Sequence, residues 1–292
     1  ETLWNFYASE DISAEYGRSG AAGGQVQDSA GADLLAPSGG INEVPWDEYP
    51  EDVINSVSEY GDAAVVVFSR IGGEGADCEF QTSNYLALED AERVMMENIK
   101  ALKDEGKINK IVVLLNSSNA IQLDFLQGNE YGVDAAMWIG GVGVTGINAV
   151  AEILAGDINP SGSLVDTYCY DNYASAAMQN FIKTTYEGDL TQIPGHADTY
   201  MLYQEGIYAG YRYYDKANKE VRWPFGHGLS YGDFEYSDLA VDVQREQIVV
   251  TFKVKNTGSV TAMETAQLYI GDPVCSVMRP VKELRNFKKV KL

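Results

Sequence analysis

The spacing of apolar residues changes once along the chain, near residue 233, and that change divides it. Before this point, continuous apolar runs alternate with helical spacing. Ala63 to Phe68, "AAVVVF", is too continuously apolar for a sheet wetted on one face and reads as a fully buried strand. "LEDAERVMMENIKALKDEGK" sets Leu88, Val94, Met95, Ile99 and Leu102 at helical spacing, with Gly106 as its stop. "KIVVLLNSS" and "DAAMWIGG" read as two further buried strands, "VTGINAVAEILAGD" as a helix ending at Gly156, and "GSLVDTY" as a candidate fourth strand. Alternation of strand and helix implies parallel pairing through crossover helices. The expectation is an α/β fold, a layered α/β/α sandwich with a largely parallel sheet.

Beyond Phe234 the period is two. "YSDLAVDVQ", "QIVVTFKVKNTG" and "AMETAQLYIGD" alternate, with turn chemistry at Asn256-Thr257-Gly258, and predict the opening strands of a β-sandwich. Residues 233–292 supply 60 positions, against roughly 100 for a complete sandwich of this kind. The expected domains are therefore residues 1–232 and a partial β-sandwich over 233–292. Within the first 50 residues, "GRSGAAGGQVQDSAGADLLAPSGG" reads as a long surface loop.

Charge supports the same boundary. The net charge is −22, and nine of 21 Lys and Arg but only eight of 43 Asp and Glu fall in residues 233–292. That leaves twelve against thirty-five in residues 1–232. So acidic a chain is a poor partner for nucleic acid or an anionic membrane. No apolar run reaches the roughly 18 residues needed to span a bilayer, and the first residues lack a leader pattern. The opening "ETLWNFYASEDI", without Met, leads to the expectation of a chain that begins partway through a longer protein. Cys78, Cys169 and Cys275 lie far apart, give neither a zinc site nor a disulfide framework, and read as small apolar residues. No metal or cofactor is expected. A low pI and unpaired cysteines fit a bacterial enzyme, intracellular or exported.

Two constellations could carry chemistry. Gly141-Val142-Gly143-Val144-Thr145-Gly146 satisfies G-x-G-x-x-G, with Asp166 twenty residues past the last glycine. Asp166 sits inside a candidate strand behind the turn Asn159-Pro160-Ser161-Gly162, so a close strand-to-helix turn is the preferred reading over dinucleotide binding. The second constellation is "SRIGGEGADC", Ser69 to Cys78, directly after the first apolar run. Its glycines would let the backbone present Glu74 in a chosen direction. Arg70, Glu74 and Asp77 there are either a solvated loop with an Arg–carboxylate pair, or a proton donor at the carboxyl end of a parallel strand, where open α/β sheets hold ligands.

"GGVGVTGINAVAEILAGDINPSGSLVDTY", "YQEGIYAGYRYYD", "WPFGHGLSYGDFEYSDL" and "RPVKELRNFKKVKL" resemble, in this order, the C-terminal half of family 3 glycoside hydrolases, the β-glucosidases, β-xylosidases and relatives. The resemblance runs from about Val65 to Leu292. It implies a three-part enzyme of barrel, α/β sandwich and fibronectin-III-like domain, of which this chain covers the sandwich and the first fibronectin-like strands. It also implies a nucleophilic aspartate in an S-D-W or S-D-Y motif on the barrel; neither motif occurs here. "RIGGEGAD" is similar to the family's R-x-S/G-G-E-G-x-D loop, which carries the general acid/base role to Glu74. Arg70 and Asp77 then become candidate substrate-binding residues, Arg70 either pairing with Asp77 or contacting sugar hydroxyls.

The resemblance implies a β-glucoside or β-xyloside oligosaccharide as substrate. The other partner is a nucleophile-bearing barrel, on the same chain or a second one. The alternative is a non-catalytic scaffold or carbohydrate-binding module. The aromatic cluster Tyr208, Tyr211, Tyr213 and Tyr214 with Arg212 is expected to be structural, His227 a hydrogen-bonded turn residue, and Trp138 core. Asn116 begins N-S-S, a glycosylation acceptor only in a eukaryotic secretory setting.

Overall fold

The computed structural model describes residues 2–16, 43–70, 86–179, 184–185, 199–200 and 202–292. The chain forms two compact units, Glu1–Thr145 and Gly146–Leu292. The first contains helices α1 (Thr2–Tyr7), α2 (Glu10–Glu15), α3 (Glu51–Ser56) and α4 (Asp90–Asp104), and strands β1 (Ala64–Arg70), β2 (Ile111–Ser117) and β3 (Ala135–Trp138). Helix α5 (Gly143–Ala155) spans the division. The second unit contains α6 (Ala176–Gln179), the short strands β4 (Thr184–Thr185) and β5 (Thr199–Tyr200), and α7 (Tyr211–Ala217). Four longer strands follow: β6 (Phe234–Val243), β7 (Ile248–Asn256), β8 (Met263–Ile270) and β9 (Glu283–Lys291). No helix among the described residues is long and apolar enough to cross a membrane.

Strands β1, β2 and β3 form a parallel sheet in that order. Central β2 buries Ile111, Val113, Leu114 and Leu115. Strand β1 is not buried on both faces as its composition predicts: Val66 and Phe68 are buried, but Val65 and Val67 are 46% and 53% exposed. The burial alternates along the strand, so among the described residues one face of β1 is covered and the other is open. Strand β3, at the other edge, has Ala135 and Ala136 exposed and is likewise not the buried strand expected.

The covered face holds the core. Phe68 meets Phe125 edge-on at 5.4 Å, both almost fully buried. Helix α4 contributes Met95, Met96 and Leu102, with Leu88 just before it. Val94, expected on that stripe, is exposed, and Met96 takes the buried position. Gly106 and Gly156, both left-handed in φ, follow α4 and α5 as the sequence predicts. Asp134 ties β3 to β2: its amide donates to the Ile111 carbonyl at 2.9 Å, and its carboxylate accepts from the Ile111 amide at 2.8 Å. Lys103 and Lys110 flank that carboxylate at 2.6 and 3.1 Å. The Lys103 hydrogen bond, then the Ile111 amide, hold Asp134 below the usual carboxylate range.

In the second unit the candidate fourth strand does not join a parallel sheet. Residues 164–168 instead run antiparallel to 222–227. Tyr168 and Trp223 form a bridge, Leu164 N donates to the His227 carbonyl at 2.7 Å, and Gly226 N donates to that of Leu164 at 2.7 Å. His227 is thus a turn residue, its amide bonded to the Pro224 carbonyl at 3.0 Å. Gly228 lies so close to the Gly162 carbonyl that any Cβ would collide with backbone.

Strands β6 and β7 pair antiparallel, as do β8 and β9. Asn256 closes the predicted turn, accepting from Gly258 N at 2.9 Å and donating to the Val260 carbonyl at 2.8 Å. The aromatic cluster is structural. Tyr211 Oη accepts from Leu284 N at 2.8 Å, and the ring lies against Phe225 and Tyr269; Tyr214 is buried. Burial pushes the Tyr168 hydroxyl up to about 12, with help from the Asp166 charge. Cys275 is exposed and Cys169 half-buried, so neither is a core residue, and Cys78 lies outside the described residues.

Candidate active-site scaffold

Three parallel strands end on the same edge, and the sequence marks that edge. The apolar run of β1 gives way to Ser69 and Arg70, that of β2 to Asn116 and Ser117, and the register places Ser69 opposite Asn116 and Arg70 opposite Ser117. Both strands therefore turn polar at one level, the carboxyl end of the sheet. That is where open α/β folds bind ligands.

The polar groups there bond mainly to one another. Ser69 Oγ donates to Asn116, with Oδ1 at 3.0 Å and the carbonyl at 3.2 Å. Asn116 Nδ2 donates to the Gly140 carbonyl at 2.5 Å. The Asn116 side chain is thus engaged and half-buried in the fold. Trp138 Nε1 donates to the Ser117 carbonyl at 2.8 Å, which makes this half-buried ring a cross-strand strut and not core filling. Gly140, left-handed in φ, lies against that ring, 3.0 Å from where a Cβ would sit. Of the G-x-G-x-x-G glycines, Gly143 is left-handed in φ and opens α5, while a Cβ on Gly141 would meet nothing. Asp166 lies in the segment paired with 222–227, not in a strand of the parallel sheet.

Arg70 closes β1. Its side chain is 0% exposed and forks onto Glu92, Nη1 to Oε1 at 2.9 Å and Nη2 to Oε2 at 2.7 Å. Nη1 also reaches the Ser69 carbonyl at 3.0 Å and Nη2 the Ala87 carbonyl at 2.6 Å. A sugar contact needs an outward-facing donor; this guanidinium is turned inward. Glu74 and Asp77, the other two residues singled out in the sequence, lie outside the described residues.

Glu92 was missed by sequence reading. Its Oε2 also accepts from Glu89 N at 2.9 Å, so one carboxylate holds both the start of α4 and the end of β1. A signal was present. Glu92 falls on the same helical stripe as Leu88, Met95, Met96 and Ile99, and an acid on an apolar face needs a buried partner.

The family comparisons agree with this architecture. Residues 19–231 match the glycosyl hydrolase family 3 C-terminal domain, and residues 264–292 match a fibronectin type III-like domain. The chain belongs to glycosyl hydrolase family 3. It is 33% identical over 253 residues to a β-glucosidase of Ruminococcus albus, covering 85% of this chain and 24% of that protein. It is 35% identical over 250 residues to thermostable β-glucosidase B of Acetivibrio thermocellus, covering 84% of this chain and 30% of the relative. Among solved structures, β-glucosidase 3B from Thermotoga neapolitana in complex with glucose superposes with a TM-score of 0.70 at 29% identity. That match covers 97% of this chain and 37% of the other. The chain thus spans 24%, 30% and 37% of the length of these three proteins.

Proposed function

We propose that this chain is the acid/base-bearing part of a retaining β-glycosidase, with Glu74 as general acid/base and the nucleophile on a barrel outside the 292 residues. The substrate is a terminal β-linked glucose, or xylose, on an oligosaccharide or glycoside. The observation that carries this reading is "RIGGEGAD" following directly from the carboxyl end of β1 in a chain of this family. The β-glucosidase relatives favour glucose.

The chemistry demands a residue of this kind. Retaining hydrolysis uses two carboxyl groups about 5–5.5 Å apart, one nucleophilic and one passing a proton to and from the glycosidic oxygen. Glu74, four residues past Arg70, stays within about 14 Å of the strand end on chain length alone. Asp77 is the remaining candidate for sugar contact. The domain division we propose is residues 1–232 for the α/β part and 233–292 for the fibronectin-like part.

The test is Glu74→Ala in the barrel-containing protein. A lost proton donor leaves activity largely intact on activated aryl glucosides, removes it on poor leaving groups by about 10²–10⁴-fold, and lets azide accelerate turnover. A proportional loss on both substrate types supports instead a non-catalytic scaffold or carbohydrate-binding role.

A further inference from the structure

We propose that Arg70 and Glu92 are positioning residues. They hold together the two ends of the segment that carries Glu74, and so set how well that carboxyl reaches the leaving-group oxygen. The inference rests on the reading of Glu74 given above.

Residues 71–85, Glu74 among them, connect Arg70 to Leu86 in the sequence. The outgoing end is bonded to the returning one: Arg70 Nη2 donates to the Ala87 carbonyl at 2.6 Å. Leu86 is tied as well, its carbonyl accepting from Gln122 N at 2.6 Å. Glu92 completes the clamp by holding the guanidinium through two bonds while capping α4. The Arg70–Ala87 bond holds the two flanks of this 15-residue connection close together, which lowers the entropy cost of closing it.

The choice of residues favours a directional role. Apolar side chains of similar volume often stabilise a buried site as well as an ion pair does. A forked pair adds geometry, because two parallel N–H···O bonds fix the guanidinium plane as apolar packing does not. The burial of Arg70 leaves sugar contact as the weaker role. Glu74 supplies the proton; Arg70 and Glu92 act only through where they hold it.

The experiment uses the barrel-containing protein with Glu92→Gln, Arg70→Lys and, alongside, Glu74→Ala. For each, kcat/KM is measured on an alkyl β-glucoside, which needs its leaving group protonated, and on a dinitrophenyl β-glucoside, which does not. The ratio of the two is independent of the folded fraction, so a variant that is merely less stable does not move it. Misplacement of the proton donor lowers that ratio about tenfold in both clamp variants. An unchanged ratio in Glu92→Gln and Arg70→Lys overturns the proposal, whether activity is intact or falls equally on both substrates. Equal loss assigns the pair to stability or sugar binding. The two readings separate cleanly. If Glu74→Ala leaves the ratio unmoved, the acid/base assignment fails and the positioning role with it; if Glu74→Ala lowers it and the clamp variants do not, only the clamp role fails.

Discussion

Arg70 and Glu92, 22 residues apart, meet in a buried fork of 2.9 and 2.7 Å that joins the last residue of β1 to the first turn of α4. With their side chains 0% and 5% exposed, neither charge has water to fall back on. Replacing Glu92 alone by Ala strands a buried guanidinium and costs about 3–5 kcal/mol of unfolding free energy. The double replacement Arg70→Met, Glu92→Leu is expected to cost far less than Glu92→Ala. Urea unfolding of the two variants checks this; a single variant as stable as the double one contradicts it.

Phe68 and Phe125 carry the covered face of the sheet. Phe68→Ala removes an almost fully buried ring and costs about 3–5 kcal/mol. Val67→Ala on the same strand is expected to cost under about 1 kcal/mol, because Val67 is half exposed. Thermal melts of both variants show whether the two faces of β1 differ as described.

Asp134 makes stability depend on acid. Its folded carboxyl is held below its ordinary value by Lys103, the Ile111 amide and Lys110. A depressed acid contributes stability above its unfolded pKa, near 3.9, and loses it as pH falls through the lower folded value. The Tm advantage of the native chain over Asp134→Asn is therefore full at pH 6 and shrinks steadily below about pH 4. An advantage that stays constant from pH 6 to pH 2 rules this out.

Tyr211 accepts the Leu284 amide, which fastens α7 to the start of β9. Tyr211→Phe keeps the rings against Phe225 and Tyr269 and leaves that amide unpaired, at about 1–3 kcal/mol. Amide exchange at Leu284 is expected to quicken in the variant more than at Lys289, whose pairing with Thr265 does not involve Tyr211.

Much of the fold was legible because local chemistry decides it. The span of α4, the left-handed glycines at 106 and 156, and the Asn256 turn follow from spacing and backbone freedom that neighbours supply. Strand β9 was not singled out: Phe287 and its lysines are largely exposed, and a backbone ladder to β8 makes little demand on side chains. Segment 164–168 looked like a strand of the main sheet and paired elsewhere, because an extended run says nothing about its partner.

The candidate site divides in the same way. The amino-acid order alone determined that an apolar run ends in Ser69 and Arg70, and that a glycine-flanked glutamate follows it. Only the tertiary structure decided that Arg70 faces inward onto Glu92 and that Val65 and Val67 face outward. Which charge an arginine finds, and which face of a strand stays dry, depend on where distant segments come to rest, and separation along the chain does not encode that distance.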